Sequence, residues 1–159
     1  VSSQVNMGSE REPEMIQRMG ELNRQALHAD LPAFGMVYAR GPNLNHQEGD
    51  KTKSQAHAVR LAFELGCDAA KCVWTGDEAS FTEVAKSAPI PLLMAGGPSN
   101  DDTRSVLAMV ESALNAGASG VCMGRQVFAH PNPGAMAKAL VMMVHNGASA
   151  ASAMEACNL

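Results

Sequence analysis

Short apolar runs alternate with longer stretches in which apolar positions recur every three or four residues, from one end of the chain to the other. The short runs predict five strands: Val1 to Val5, Ala33 to Tyr38, Ala69 to Trp74, Pro91 to Ala95 and Gly120 to Met123. Each is a few residues long, and all but the first are mostly apolar, as strands buried on both faces of a parallel sheet are. The stretches between them predict helices, and this alternation builds βα units. Ser9 and Glu12 have capping-box spacing and predict a helix running to about Ala29. Gly66 and Gly117 stand where glycine ends a helix, and Gly147 separates two terminal helices. Asn100 or Asp101 is placed to cap the helix through Asn115.

An internal echo supports repetition. Glu64-Leu65-Gly66-Cys67-Asp68-Ala69 ends one helix and opens a strand, and Asn115-Ala116-Gly117-Ala118-Ser119-Gly120 repeats the pattern later. A doubly wound open sheet alternates in the same way, but its phosphate loop follows the first strand. Here the glycine-rich turns follow the last two strands, which favours a barrel. A closed (β/α)₈ barrel usually takes roughly 250 residues, so a chain of 159 residues predicts part of one. No linker or low-complexity tract divides residues 1–159, which read as one structural unit; Gly41 to Asp50 is the one long polar connection.

Composition narrows the function classes. Twelve Lys and Arg stand against 16 Asp and Glu, a net charge of −4, and the basic residues are scattered. That charge pattern carries no footprint for nucleic acid. The longest apolar stretches, such as Ala139 to Val144, fall far short of the roughly 20 residues of a membrane span, and no leader pattern is seen. The expectation is a cytoplasmic protein without a membrane partner. Cys67, Cys72, Cys122 and Cys157 lie in apolar patterns without C-x-x-C spacing, which predicts buried free thiols rather than disulfides or zinc. The five histidines show no metal-ligand spacing, and the 11 methionines read as core filler.

Lys71 is the most informative residue, because it interrupts the apolar run Ala69-Ala70-Lys71-Cys72-Val73-Trp74. Strand alternation places it on the face of Ala69 and Val73. Burial disfavours an ammonium, so a lysine there can supply a free amine that attacks a carbonyl. The bland alternative is a lysine that snorkels at a strand end or pairs with Asp77. Tyr38 ends the second predicted strand and so belongs at the carboxyl edge, where barrel active sites form. A phenol there can move a proton, or can simply be packed with one hydrogen bond. Gly96-Gly97 and Gly124-Arg125 follow the last two strands and are followed by helix-forming sequence. Such glycines let backbone N–H groups approach an anion, to which Arg125 could add a charge-assisted contact. They would equally permit tight βα turns.

Taken in order, Val5-Asn6-Met7-Gly8-Ser9, Tyr38-Ala39-Arg40-Gly41, Lys71 with Thr75-Gly76-Asp77, Ala95-Gly96-Gly97-Pro98 and Gly120 to Phe128 resemble a known family. It is the archaeal fructose-bisphosphate aldolase and 2-amino-3,7-dideoxy-D-threo-hept-6-ulosonate synthase family of class I, Schiff-base aldolases, and the resemblance covers almost the whole chain. It implies a (β/α)₈ TIM barrel of which about strands 4–8 are present. It also implies Lys71 as the Schiff-base lysine, Tyr38 as the proton-transfer residue, and Gly96, Gly97, Gly124 and Arg125 as the phosphate site. The implied substrate is a phosphorylated sugar or ketose, with no cofactor, no metal and a homo-oligomeric assembly. Ala39 stands where the family has proline, and Gln4 aligns with a position that is often histidine. On this alignment Val1 opens strand 4, so an aspartate that the family carries at the end of strand 1 lies outside the chain. The alternatives are a phosphate- or flavin-binding barrel segment with Lys71 as counter-ion, and a catalytically silent half-barrel.

Overall fold

The structure, a computed structural model, describes residues 1–44, 51–97 and 102–159. The strands form where the apolar runs predict them: β1 (Ser2–Met7), β2 (Phe34–Ala39), β3 (Ala69–Val73), β4 (Leu92–Ala95) and β5 (Gly120–Cys122). They make one parallel sheet in sequence order, β1-β2-β3-β4-β5. The helices between and after them are α1 (Glu12–His28), α2 (Lys51–Glu64), α3 (Glu78–Lys86), α4 (Thr103–Asn115), α5 (Arg125–Phe128), α6 (Pro133–Asn146) and α7 (Ala150–Cys157). An α/β architecture of consecutive parallel βα units follows.

Only one face of the sheet is sealed. Val5, Met7, Val37, Ala70, Cys72, Leu92 and Met94 pack into a single core with helix residues such as Met19, Val59, Phe81, Leu107 and Met136. Fully burying side chains of this size stabilises by about 1.5–3 kcal/mol each. Trp74 stacks on Phe81 with ring centroids 5.2 Å apart. The opposite face, with Asn6, Met36, Tyr38, Lys71 and Leu93, remains half-buried. This corrects the expectation of strands covered on both faces: five strands alternate side chains to either side, and the helices cover one side. Met94 is core filler as predicted, whereas Met36 lies on the half-covered face.

Helix ends show where local signals hold and where they fail. Gly66, Gly117 and Gly147 all take positive φ, of 83°, 106° and 67°, as glycines that end helices do. The Ser9–Glu12 capping box does not form. Arg11 occupies the cap position and Glu12 opens α1, followed by Pro13 in the first turn. Glu12 Oε2 instead accepts from the Gly8 N–H at 2.7 Å, and the buried Ser9 hydroxyl has no partner. Asn100 and Asp101 lie outside the described residues. The cap of α4 is Asp102, whose carboxylate accepts from the Arg104 and Ser105 amides.

Candidate active site

Lys71 and Tyr38 share the half-covered face. The β2–β3 register pairs Phe34 with Ala69 and Gly35 with Ala70. Continuing it sets Tyr38 on the neighbouring strand two residues beyond Lys71 toward the carboxyl edge. At ideal strand spacings their Cα atoms are roughly 8 Å apart, within reach of one small molecule for two such long side chains. Lys71 is half-buried rather than sealed, because the helices pack on the faces of Ala70 and Cys72.

The pairing of Lys71 with Asp77 does not occur. Asp77 is the cap of α3, and its carboxylate accepts from the Ser80 N–H and the Ser80 hydroxyl, each at 2.9 Å. Those hydrogen bonds hold the Asp77 carboxyl below its usual range. Among the described residues no carboxylate pairs with Lys71. The Thr75 and Ser80 hydroxyls hydrogen-bond each other at 2.8 Å, and Gly76 takes φ +118°, so the Thr75-Gly76-Asp77 turn is built to start α3.

Tyr38 is not held through its hydroxyl, which has no hydrogen-bond partner among the described residues. Its ring lies under the Arg40 guanidinium, 4.6 Å from the centroid. Asn6, opposite Tyr38 in the β1–β2 register, accepts at Oδ1 from Arg40 Nε at 2.8 Å and from Gln4 Nε2 at 3.0 Å. Nothing in the local pattern of β1 marks Asn6 as a hub. The signal present is the alternation of polar Gln4 and Asn6 with apolar Val5 and Met7, which becomes informative only beside Arg40.

The two glycine turns meet at the same carboxyl edge. Arg125 Nη2 donates to the Gly97 carbonyl at 3.0 Å, and Gln126 Nε2 donates to the Gly96 carbonyl at 3.1 Å. Gln126 is buried, and sequence reasoning missed it. Gly96 has a packing reason to be glycine and Gly97 a conformational one. A Cβ at Gly96 would lie 3.0 Å from the Met123 side chain and 3.1 Å from that of Gln126, while Gly97 takes φ +66°. One expectation needs correcting: α4 begins at Thr103, so Gly96-Gly97 does not sit at the N-terminus of α4. Gly124 does cap a helix directly, the single turn α5. Arg125 spends one of its five donors on Gly97, and the others have no partner among the described residues.

All four cysteines are free thiols. Cys67, Cys72 and Cys157 are buried as predicted, but Cys122, at the end of β5, is only half-buried. Desolvation pushes the Cys72 thiol up to about 12. Among the described residues no group of three His, Cys, Asp or Glu side chains could hold a metal ion, and no helix is long and apolar enough to cross a membrane.

Lys71 and Tyr38 thus share one face of a parallel α/β sheet, with the paired glycine turns at its carboxyl edge. Residues 1–130 match the model of the DeoC/LacD family aldolases, and the chain belongs to that family. It is 38% identical over 153 residues to the 2-amino-4,5-dihydroxy-6-oxo-7-(phosphonooxy)heptanoate synthase of Streptomyces griseus, covering 96% of this chain and 55% of the relative. It is 36% identical over 159 residues to the 2-amino-3,7-dideoxy-D-threo-hept-6-ulosonate synthase of Halobacterium salinarum, covering 100% of this chain and 58% of the relative. An archaeal fructose-1,6-bisphosphate aldolase, solved with its catalytic lysine covalently bound to a carbinolamine intermediate, superposes with a TM-score of 0.83. That structure is 34% identical, and the match covers 91% of this chain and 57% of the other. The chain thus spans a little over half the length of the relatives it matches.

Proposed function

We propose that this chain carries the Schiff-base centre of a class I aldolase or transaldolase acting on a phosphorylated sugar or ketose. The observation that carries the reading is the placement of Lys71 and Tyr38 on one half-covered face of adjacent strands, below the joined turns Gly96-Gly97 and Gly124-Arg125. The family membership and the covalent lysine intermediate of the archaeal relative support it. We read the five βα units as about strands 4–8 of a (β/α)₈ barrel, forming one unit over residues 1–159. Among the described residues the outer edges of β1 and β5 have no strand neighbour, which supports association with further chain, or with other copies in a homo-oligomer. A cytoplasmic location follows from the same reading.

In this mechanism the unprotonated Lys71 Nζ adds to the substrate carbonyl carbon, and the resulting carbinolamine loses water to give an iminium. The iminium accepts the electron pair of the breaking C–C bond as an enamine, or in the reverse direction the enamine attacks an aldehyde. Tyr38 gives or takes the accompanying proton through its free hydroxyl. Backbone N–H groups of the two turns and the Arg125 guanidinium hold the phosphate and fix the carbonyl against Lys71.

Borohydride reduction in the presence of a ketose phosphate, followed by peptide mass spectrometry, tests this. The expected result is a stable adduct on Lys71 that is missing in Lys71→Met. Binding of the ketose phosphate with Lys71 left unmodified would overturn the Schiff-base assignment. It would favour a binding segment in which Lys71 is a counter-ion.

A further inference from the structure

A half-buried phenol is ordinarily anchored by its hydroxyl. Tyr38 has no such anchor among the described residues, and what holds it is the Arg40 guanidinium lying 4.6 Å over its ring. That guanidinium is itself tied down. Arg40 Nε donates to Asn6 Oδ1 at 2.8 Å, and Gln4 Nε2 donates to the same oxygen at 3.0 Å. Two donors converging on one atom require the Asn6 carbonyl oxygen there, since the amide nitrogen cannot accept. Asn6 pairs with Tyr38 in the β1–β2 register, so the brace stands directly beside the phenol on the next strand. Gln4, Asn6, Tyr38 and Arg40 are spaced two apart along their strands and share the face of Lys71.

We infer that Arg40, braced by Asn6 and Gln4, is a positioning residue that clamps the ring of Tyr38 and leaves its hydroxyl free for the substrate. The inference rests on the reading of Tyr38 as the proton-transfer group. A phenol that exchanges a proton with a substrate cannot also spend its O–H on the protein, yet an unanchored ring would be free to rotate. A cation over the ring face attracts the negative quadrupole without occupying the hydroxyl. The planar guanidinium suits this, because it can stack while Nε hydrogen-bonds in its own plane, which an ammonium cannot do.

Tyr38 is the only tyrosine in the chain, so ring-¹³C tyrosine labelling gives NMR resonances that report this ring alone. Arg40→Met and Asn6→Ala are expected to shift those resonances toward free-tyrosine values. Arg40→Lys, which keeps a cation but not the fork, should shift them part of the way. Gln17→Ala on the exposed face of α1 should leave them in place. Resonances unmoved in Arg40→Met, with the fold intact by amide spectra, overturn the clamp.

Turnover separates the clamp from the role of Tyr38. Arg40→Met should lower kcat about tenfold with KM little changed and with borohydride trapping at Lys71 retained. It should add no further loss in a Tyr38→Phe background. An equal loss in both backgrounds shows that Arg40 acts on the substrate directly and overturns the inference. If Tyr38→Phe keeps full turnover, the proton-transfer reading fails, while shifted tyrosine resonances would still establish the clamp as a structural fact.

Discussion

Gly41 packs against Gly8 so closely that a Cβ at position 41 would run into the Gly8 carbonyl carbon and the Ser9 nitrogen. The contact is made by backbone on both sides, and Gly41 N–H donates to the Met7 carbonyl at 2.8 Å while Asn43 N–H donates to that of Gly8 at 2.8 Å. The loops after β1 and β2 are thereby locked to each other at the carboxyl edge, next to Asn6 and Arg40. Backbone cannot give way as a side-chain tip does. Gly41→Ala is therefore expected to destabilise by about 3 kcal/mol or more, read as a lowered urea midpoint with an unchanged m-value. A loss under about 1 kcal/mol would mean that the loop shifts freely.

Lys71 should matter for chemistry more than for stability. It is half-buried and without a carboxylate partner among the described residues. Lys71→Met keeps the stem and removes the charge. Its unfolding free energy should stay within about 1 kcal/mol of wild type, while borohydride trapping disappears. A collapse of the fold in Lys71→Met would instead assign the lysine a structural role.

The joined glycine turns predict a division of labour. Arg125→Ala removes a cation at the edge and should weaken binding of a ketose phosphate about 10- to 100-fold, measured by calorimetry, with little change in Tm. Gln126→Ala leaves the Gly96 carbonyl unpaired and should cost stability by about 1–3 kcal/mol. Equal effects of both variants on phosphate binding would argue against a direct contact by Arg125.

Acid should weaken the helix caps. The Asp77 and Asp102 carboxyls are held below their ordinary value of 3.8, Asp77 chiefly by the Ser80 amide and Asp102 chiefly by the Ser105 hydroxyl. A depressed native value means that the stability they add is fully present above that ordinary value and is lost as pH falls through the depressed one. Asparagine caps helices without titrating. The double variant Asp77→Asn, Asp102→Asn should therefore lose less stability between about pH 5 and pH 2 than wild type, in urea unfolding across that range. Identical slopes would remove the caps from the acid response.

Thiol reactivity should follow burial. The Cys72 thiol, pushed up to about 12 by its apolar surroundings, is a poor nucleophile at neutral pH, and Cys67 is raised by burial as well. Native-state alkylation is expected to modify the half-buried Cys122 first and Cys72 only after unfolding, as read by peptide mass spectrometry. Early labelling of Cys72 would show that the core opens on the timescale of the reaction.

The strand pattern, the strand-to-helix order and the glycine stops at Gly66, Gly117 and Gly147 were legible in the chain because each depends on neighbours a few residues away. Apolar runs set the strands, and a left-handed residue at a helix end calls for glycine whatever surrounds it. The same local logic put Lys71 on the correct face and Tyr38 at the carboxyl edge. It failed at α1 and α4, where several capping residues stand close together. At α1 the Glu12 carboxylate finds the Gly8 N–H in the turn after β1, and at α4 Asp102 takes the cap beside Thr103, whose hydroxyl hydrogen-bonds His130 at 2.8 Å.

What the sequence determined by itself was therefore the set of elements and the residue types able to carry amine, phenol and anion chemistry. Tertiary structure alone decided how those residues are held: Arg40 over Tyr38, Asn6 beneath Arg40, Gln126 and Arg125 on the Gly96-Gly97 carbonyls. Apart from Arg40 over Tyr38, two residues along the same segment, each of those contacts spans two strands or two loops, so it depends on parallel register and on which face the helices cover. Neither is encoded in any window short enough to read along the chain.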